Sequence, residues 1–280
     1  MLNSVNLVCP LCQQPLTTSS KQLSCANGHS FDIAKQGYVN LLPVQKKHSK
    51  DPGDNKVMVN ARRDFLAEGH FNSFSQRMTE VVKPLLQQGK NSTYSALEAG
   101  CGEGFYIDSL ARDVEMDFAP LDAYGLDISK WAVQAATKRN NRVTWLVGSN
   151  AALPFAPGSL DLIICAFGFY QFEWFAPYLK PGGRILLLEA GDEHLLELRE
   201  ALYDEVRRGG PPANLEHAGF TLESQECVTD KITLEQVAIQ NLLCMTPHGY
   251  KAPVAGKEAV LKLNSLNVTI QAVIRLYQKA

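Results

Sequence analysis

The sequence predicts an α/β fold, a parallel Rossmann-like sheet with a small metal-binding unit at its N-terminus. Three observations carry that reading. A glycine-rich segment, Glu98-Ala99-Gly100-Cys101-Gly102-Glu103-Gly104, joins an extended run to a helical pattern. Short apolar runs then alternate with helical periodicity to the end of the chain. Close Cys and His pairs, Cys9-Pro10-Leu11-Cys12 and Cys25-Ala26-Asn27-Gly28-His29, stand near the start.

The two pairs have the spacing C-x2-C-x12-C-x3-H. Three thiolates and one imidazole make a closed tetrahedral set for structural zinc, with no position left for catalysis. Few large apolar residues lie in this span, so the metal is expected to replace a core. Residues 1–36 are therefore expected to form a separate zinc-binding knuckle or ribbon, dispensable for the stability of the rest of the chain.

Residues 37–72 read as a basic linker and a helix. Tyr38-Val39-Asn40-Leu41-Leu42-Pro43 is apolar enough to dock on a neighbouring surface. Lys46, Lys47, Lys50, Arg62 and Arg63 are candidate phosphate contacts, although a solvated connector would look similar. A helix is expected over 57–70, stopped at Gly69.

The remaining segment, 73–280, is expected to be the cofactor domain. An extended run over 92–97 leads into the glycine turn and a helix over 105–112. Alternate glycines let the backbone leave a strand sharply and let a ligand approach main-chain N–H groups. Asp127 follows Gly104 by 23 positions, at the end of the apolar run Tyr124-Gly125-Leu126. A carboxylate there can accept ribose hydroxyls. Phe105 breaks the G-x-G-x-x-G spacing of dinucleotide folds. The E-x-G-x-G-x-G form instead matches class I S-adenosylmethionine (SAM)-dependent methyltransferases, with Gly100, Gly102, Gly104 and Asp127 as cofactor residues.

A helix over 131–139 capped by Ser129 and a strand over 143–147 come next. Asn150 lies just past that strand's C-terminal end, where doubly wound sheets bind ligands. Strands are expected over 161–166 and 184–189, the second preceded by a helix end and turn at Leu179-Lys180-Pro181-Gly182-Gly183. A helix over 195–208 and a strand pair, 220–228 with 266–277, close the sheet with an antiparallel edge.

Composition sets limits. The 280 residues are 45% apolar and 20% charged, with a formal charge of −2, so any attraction to nucleic acid must be local. No signal-like apolar stretch and no run of about 18 apolar residues occurs, which argues against secretion and membrane spanning. An odd count of seven cysteines points to a reducing, cytoplasmic setting.

The segment Phe31-Asp32-Ile33-Ala34-Lys35-Gln36-Gly37-Tyr38-Val39-Asn40-Leu41-Leu42-Pro43 comes directly after the metal pairs. Asp51-Pro52-Gly53-Asp54 and Ala61-Arg62-Arg63-Asp64-Phe65-Leu66-Ala67-Glu68-Gly69-His70 stand beyond it. Together they resemble the signature of the RlmA-type ribosomal RNA methyltransferases, over nearly the whole chain and most closely over 9–110. The resemblance implies methylation of N1 of a guanine in a hairpin loop of 23S rRNA. It implies structural zinc on Cys9, Cys12, Cys25 and His29, and cofactor contacts at Phe71, Gly102, Glu103 and His194. Two departures stand out. Phe71 replaces the tyrosine of family members, and Phe167-Gly168-Phe169-Tyr170-Gln171-Phe172-Glu173-Trp174 replaces a more polar loop.

The expected partner is a 23S rRNA hairpin, with no membrane and with a homodimer as an admissible assembly. Guanine N1 carries a proton, so an acceptor is needed. Asp161 and Glu173 are the carboxylates considered for it, and neither is assigned. Phe167, Phe169, Tyr170 and Trp174 could stack a splayed base or simply pack. Two other functions fit parts of the chain: a small-molecule SAM-dependent methyltransferase with zinc as scaffold, and a non-catalytic RNA-binding protein.

Overall fold

The computed structural model describes residues 2–46, 49, 51–88, 93–114, 120–206 and 215–280. The N-terminal unit is a three-stranded antiparallel sheet of β1 (Thr17–Thr18), β2 (Gln22–Ser24) and β3 (Ser30–Asp32). The chain then makes a two-residue strand, β4 (Val39–Asn40), and the helices α1 (Lys56–Ala67) and α2 (Asn72–Gln88). Asn55 caps α1, its side-chain oxygen accepting from the N–H groups of Val57 at 2.9 Å and Met58 at 3.1 Å. Gly69, at φ 84°, turns the chain between the two helices.

Strands and helices then alternate as expected: β5 (Tyr94–Ala99), α3 (Phe105–Val114), β6 (Leu121–Asp127), α4 (Lys130–Ala136), β7 (Thr144–Val147) and β8 (Leu160–Ala166). Then come α5 (Phe172–Phe175), β9 (Leu179–Ala190), α6 (Leu196–Leu202) and β10 (Phe220–Glu235). The chain ends with α7 (Gln236–Met245), α8 (His248–Lys251), α9 (Val254–Leu261) and β11 (Ser265–Lys279). The main sheet has eight strands in the order β10-β11-β9-β8-β5-β6-β7-β4. Six run parallel, from β9 to β4, and β11 and β10 add an antiparallel edge. The strand order reverses between β5 and β8, so the crevice at their C-terminal ends is the natural ligand site.

Period-two alternation gives the sheet two apolar faces. Ala96, Ala123, Trp145, Leu162, Ile164, Leu186 and Leu188 face one core, which α1, α2, α3, α4, α6 and α7 cover with residues such as Phe65, Phe74, Leu110 and Val133. Leu97, Tyr124, Leu126, Leu146, Ile163 and Leu187 face the other. Leu7, Leu16 and Leu23 of the zinc unit fill much of that second core, with Phe155, Phe172 and Phe175. Leu7 bridges Phe155, Val8 N–H donates to the Pro154 carbonyl at 3.0 Å, and Asn6 Nδ2 donates to Ser95 Oγ at 2.9 Å. The N-terminal unit thus serves as a covering layer of the sheet, where such folds place helices. A boundary at residue 36 is not a boundary of packing, and this shared core gives no support to the expected dispensability of residues 1–36.

The segment expected to be a linker is also built in. β4 pairs in parallel with β7, and Tyr38, Val39, Leu41 and Leu42 are all buried. Four other expectations are corrected. Residues 179–183 belong to β9, where Leu160 pairs with Leu179 but Leu162 with Arg184, so the intervening residues bulge around Gly182 at φ 72°. α4 ends at Ala136, three residues early, in a turn. α6 ends at Leu202, with Tyr203 extended, while Arg208 lies outside the described residues. The edge pair is longer than expected, and the helices α7, α8 and α9 lie between its strands.

Candidate metal centre and cofactor site

Each metal-binding pair sits on a tight turn. Gln13 N–H donates to the Cys9 carbonyl, and Gly28, at φ 81°, returns its N–H to the Cys25 carbonyl. The turns bring the Sγ atoms of Cys9, Cys12 and Cys25 and a ring nitrogen of His29 within 4.8 Å of one another. Cys9 Sγ and Cys25 Sγ each lie 3.5 Å from His29 Nδ1, and Cys12 Sγ lies 3.6 Å from Cys25 Sγ. These separations and this donor set fit tetrahedral zinc, with Nδ1 as the imidazole ligand. Cys9 and Cys25 are buried under the sheet core while Cys12 is partly exposed. Of the other four cysteines, Cys101 and Cys165 are buried, Cys244 is half-buried and Cys227 is exposed.

The glycine turn closes β5. Gly100, Gly102 and Gly104 all have positive φ, at 77°, 55° and 85°. Their reasons differ. A Cβ on Gly104 would fall 2.4 Å from the Trp145 ring, so this glycine is needed for packing of the turn on β7. A Cβ on Gly102 would meet nothing nearer than Arg62, at 3.8 Å, and one on Gly100 only Asn150 Nδ2, at 3.4 Å. Only the ends of two polar side chains border these positions at the strand-order switch, so the bare backbone there makes a cradle that suits a ligand lying against it.

Asp127, at the end of β6, accepts from Gly102 N–H at 2.8 Å and from Ser129 N–H at 2.7 Å. Burial pushes its carboxyl up from the usual range, and these two N–H groups pull it back. Each oxygen keeps a further lone pair, the requirement for holding ribose hydroxyls. Asn150 Nδ2 donates to the Phe169 carbonyl at 3.0 Å, tying the end of β7 to the loop after β8. The Glu103 side chain is buried and ion-paired with Arg139, whose Nε also donates to the Glu103 carbonyl at 3.1 Å. Glu98 accepts from Ile107 N–H at 2.9 Å and holds the start of α3.

Phe71 and His194 meet in an aromatic cluster with Phe74, Phe167 and Tyr106. Phe167, just after β8, is a non-glycine residue at φ 51°, and its ring stacks on His194 at 5.6 Å. His194 Nδ1 accepts from Gln271 N–H at 3.1 Å. Nε2 must then carry the ring proton, and burial holds the imidazole's pKa down at about 4. His194 is a neutral donor and cannot take the proton of an acceptor nitrogen. Phe169 projects outward, 89% exposed. Asp161 accepts from Ser95 N–H and Lys180 Nζ, a role in tying β8 to β5 and β9.

The basic residues separate. Arg62 lies over Gly102, ion-paired with Asp54 and donating to the Met245 carbonyl at 2.9 Å. Arg63 is more exposed and bonds Asp64 and Asn60. Lys47 and Lys50 lie outside the described residues, and of Lys46 only the backbone is described. Arg62 and Asp54 lie beside the glycine turn, a placement the sequence did not reveal. The one local signal was Gly53 beside Asp54. A Cβ there would fall 2.8 Å from Ile128, so this glycine lets the turn close on the end of β6.

A doubly wound sheet with this glycine turn, Asp127 and a four-ligand zinc cluster defines a SAM-dependent methyltransferase with a zinc ribbon. The family model described as RlmA, N-terminal, a zinc ribbon, matches residues 7–50. A methyltransferase-domain model matches residues 96–183. A Streptomyces fradiae protein named 23S rRNA (guanine(748)-N(1))-methyltransferase is 31% identical, across 87% of this chain and 85% of its own length. A Micromonospora griseorubida protein, provisionally named 23S rRNA (guanine-N(1)-)-methyltransferase, is 30% identical across 97% of this chain and 96% of its own. A Bacillus subtilis protein with the same provisional name is 27% identical across 97% and 96%. The chain belongs to the 23S rRNA (guanine-N1-)-methyltransferase family.

Bound SAM supplies an electrophilic methyl group on a sulfonium. The residues here would orient it: Asp127 at the ribose, Gly100 and Gly102 against the backbone, and the aromatic cluster around the transfer site.

Proposed function

We propose that the chain methylates N1 of a guanine in a hairpin loop of 23S rRNA, in the cytoplasm, with SAM as donor. The observation that carries this reading is likeness over 87–97% of the chain to relatives named 23S rRNA guanine-N1-methyltransferases, together with the zinc-ribbon match over residues 7–50. A match confined to the cofactor domain would leave the substrate open. Demethylmenaquinone methyltransferase of Lactococcus lactis, 27% identical over 46% of this chain, illustrates the small-molecule alternative. Phe71, Gly100, Gly102, Gly104, Asp127, Asn150 and His194 are proposed to form the cofactor site, Gly104 through packing and Glu103 through its backbone. The zinc unit contributes to RNA recognition by a surface that stays fixed on the sheet. Among the described residues no helix is long and apolar enough to cross a membrane.

The test is methyl transfer from labelled SAM to protein-free 23S rRNA by purified protein, with the position read by primer extension. One stop at a hairpin-loop guanine supports the proposal. Label found only in small lipophilic acceptors, and none in RNA, would replace it with the alternative.

A further inference from the structure

Arg62 carries a role that its place in a basic stretch conceals. A Cβ on Gly102 would lie 3.8 Å from Arg62 Nη1 and 3.9 Å from its Cδ, so the side chain runs along the open side of the glycine turn. It is held there from two directions. Nη1 is ion-paired with Asp54, and Nη2 donates to the Met245 carbonyl at the end of α7. Asp54 is itself anchored, its carbonyl accepting from Ser129 Oγ next to Asp127. The guanidinium keeps Nε–H and one hydrogen on each terminal nitrogen, and its side chain is 26% exposed. Arg139, a second cation at this turn, is committed to Glu103.

Of the groups on SAM, only the amino-acid carboxylate is anionic. The sulfonium and ammonium would repel a guanidinium, and the ribose hydroxyls suit Asp127. A fixed cation against the turn therefore has one matching group on this cofactor. We propose that Arg62 anchors the amino-acid carboxylate of SAM, while Asp54 and the Met245 carbonyl hold the guanidinium in place. Arg62 is then a cofactor residue, and α1 and α7 together form one wall of the site. The proposal rests on SAM dependence and is independent of which acceptor is methylated.

Calorimetry with S-adenosylhomocysteine and 5′-methylthioadenosine tests it on the full zinc-loaded chain. Both ligands are thioethers with the same nucleoside, and only the first has the amino acid. Arg62→Met is expected to weaken S-adenosylhomocysteine about ten- to hundredfold, the cost of losing a charge-assisted contact, with methylthioadenosine within about twofold. Arg62→Lys, which keeps the charge and most of the stem, should lose less; it also serves if the Met variant does not fold. Equal losses for both ligands would overturn the proposal and make Arg62 a support for the turn. Unchanged affinity for both, with weaker rRNA binding, would overturn it in favour of a phosphate contact.

Discussion

Leu7 and Phe155 form an antiparallel bridge, and both are essentially fully buried. One belongs to the zinc ribbon and the other to the segment between β7 and β8, so the metal unit and the sheet share a core. Apolar burial of this kind contributes about 25 cal/mol per Å² removed from water. The ribbon cannot leave without exposing Tyr124, Leu126 and Phe155.

Zinc removal should therefore destabilise the whole chain. Cys12→Ala is expected to lose the metal and to lower the melting temperature of the cofactor domain as well, in one cooperative transition. Differential scanning calorimetry with and without a chelator reads this directly. Two separate transitions, the second unmoved by chelation, would show that the ribbon folds apart from the sheet.

The glycine turn separates two kinds of defect. Gly102→Val places a β-branched residue at φ 55° and a side chain in the ligand space, so SAM binding should vanish. The fold should lose only about 1–2 kcal/mol from the backbone conformation. Gly104→Ala drives a methyl group into Trp145 and should cost more stability, with about 1–3 kcal/mol of overpacking added to the conformational strain. Chemical denaturation beside SAM titration distinguishes them. The pattern is wrong if Gly104→Ala melts like wild type.

Much of this was legible in the sequence because local rules sufficed. Cys and His spacing gives the cluster, and glycine spacing with Asp127 gives the turn. Short continuous apolar runs give the parallel strands, and period-two alternation gives the antiparallel edge pair. Contacts between distant segments were not legible. Arg62 meets the carbonyl of Met245, 183 positions away, so its charge looks like part of a basic linker. Leu7, Leu16 and Leu23 are too few for a core by themselves, and the partners that complete it lie on the sheet. The helix α7 is open to pattern reading, with Ala238, Ile239, Leu242 and Leu243 on one buried face, but strand signals on either side of it obscure the helical period.

His194 makes acid stability measurable. Its folded pKa of about 4 lies below the unfolded value of about 6.5. Between those values the unfolded chain binds more protons, so this group's contribution falls as pH drops through that window and is fully present above it. Asn keeps an acceptor for Gln271 N–H without the titration. His194→Asn should therefore lose less stability than wild type as pH falls from about 6.5 to about 4. Parallel pH curves for the two proteins would show that the imidazole is not held neutral.

Methylation of 23S rRNA is tested most directly in the cell. Mass mapping of 23S rRNA nucleotides should show one N1-methylguanine, in a hairpin loop, that disappears when the gene is deleted. It should return with the wild-type gene and fail to return with Gly102→Val. An unchanged methylguanine map in the deletion strain would contradict the assignment.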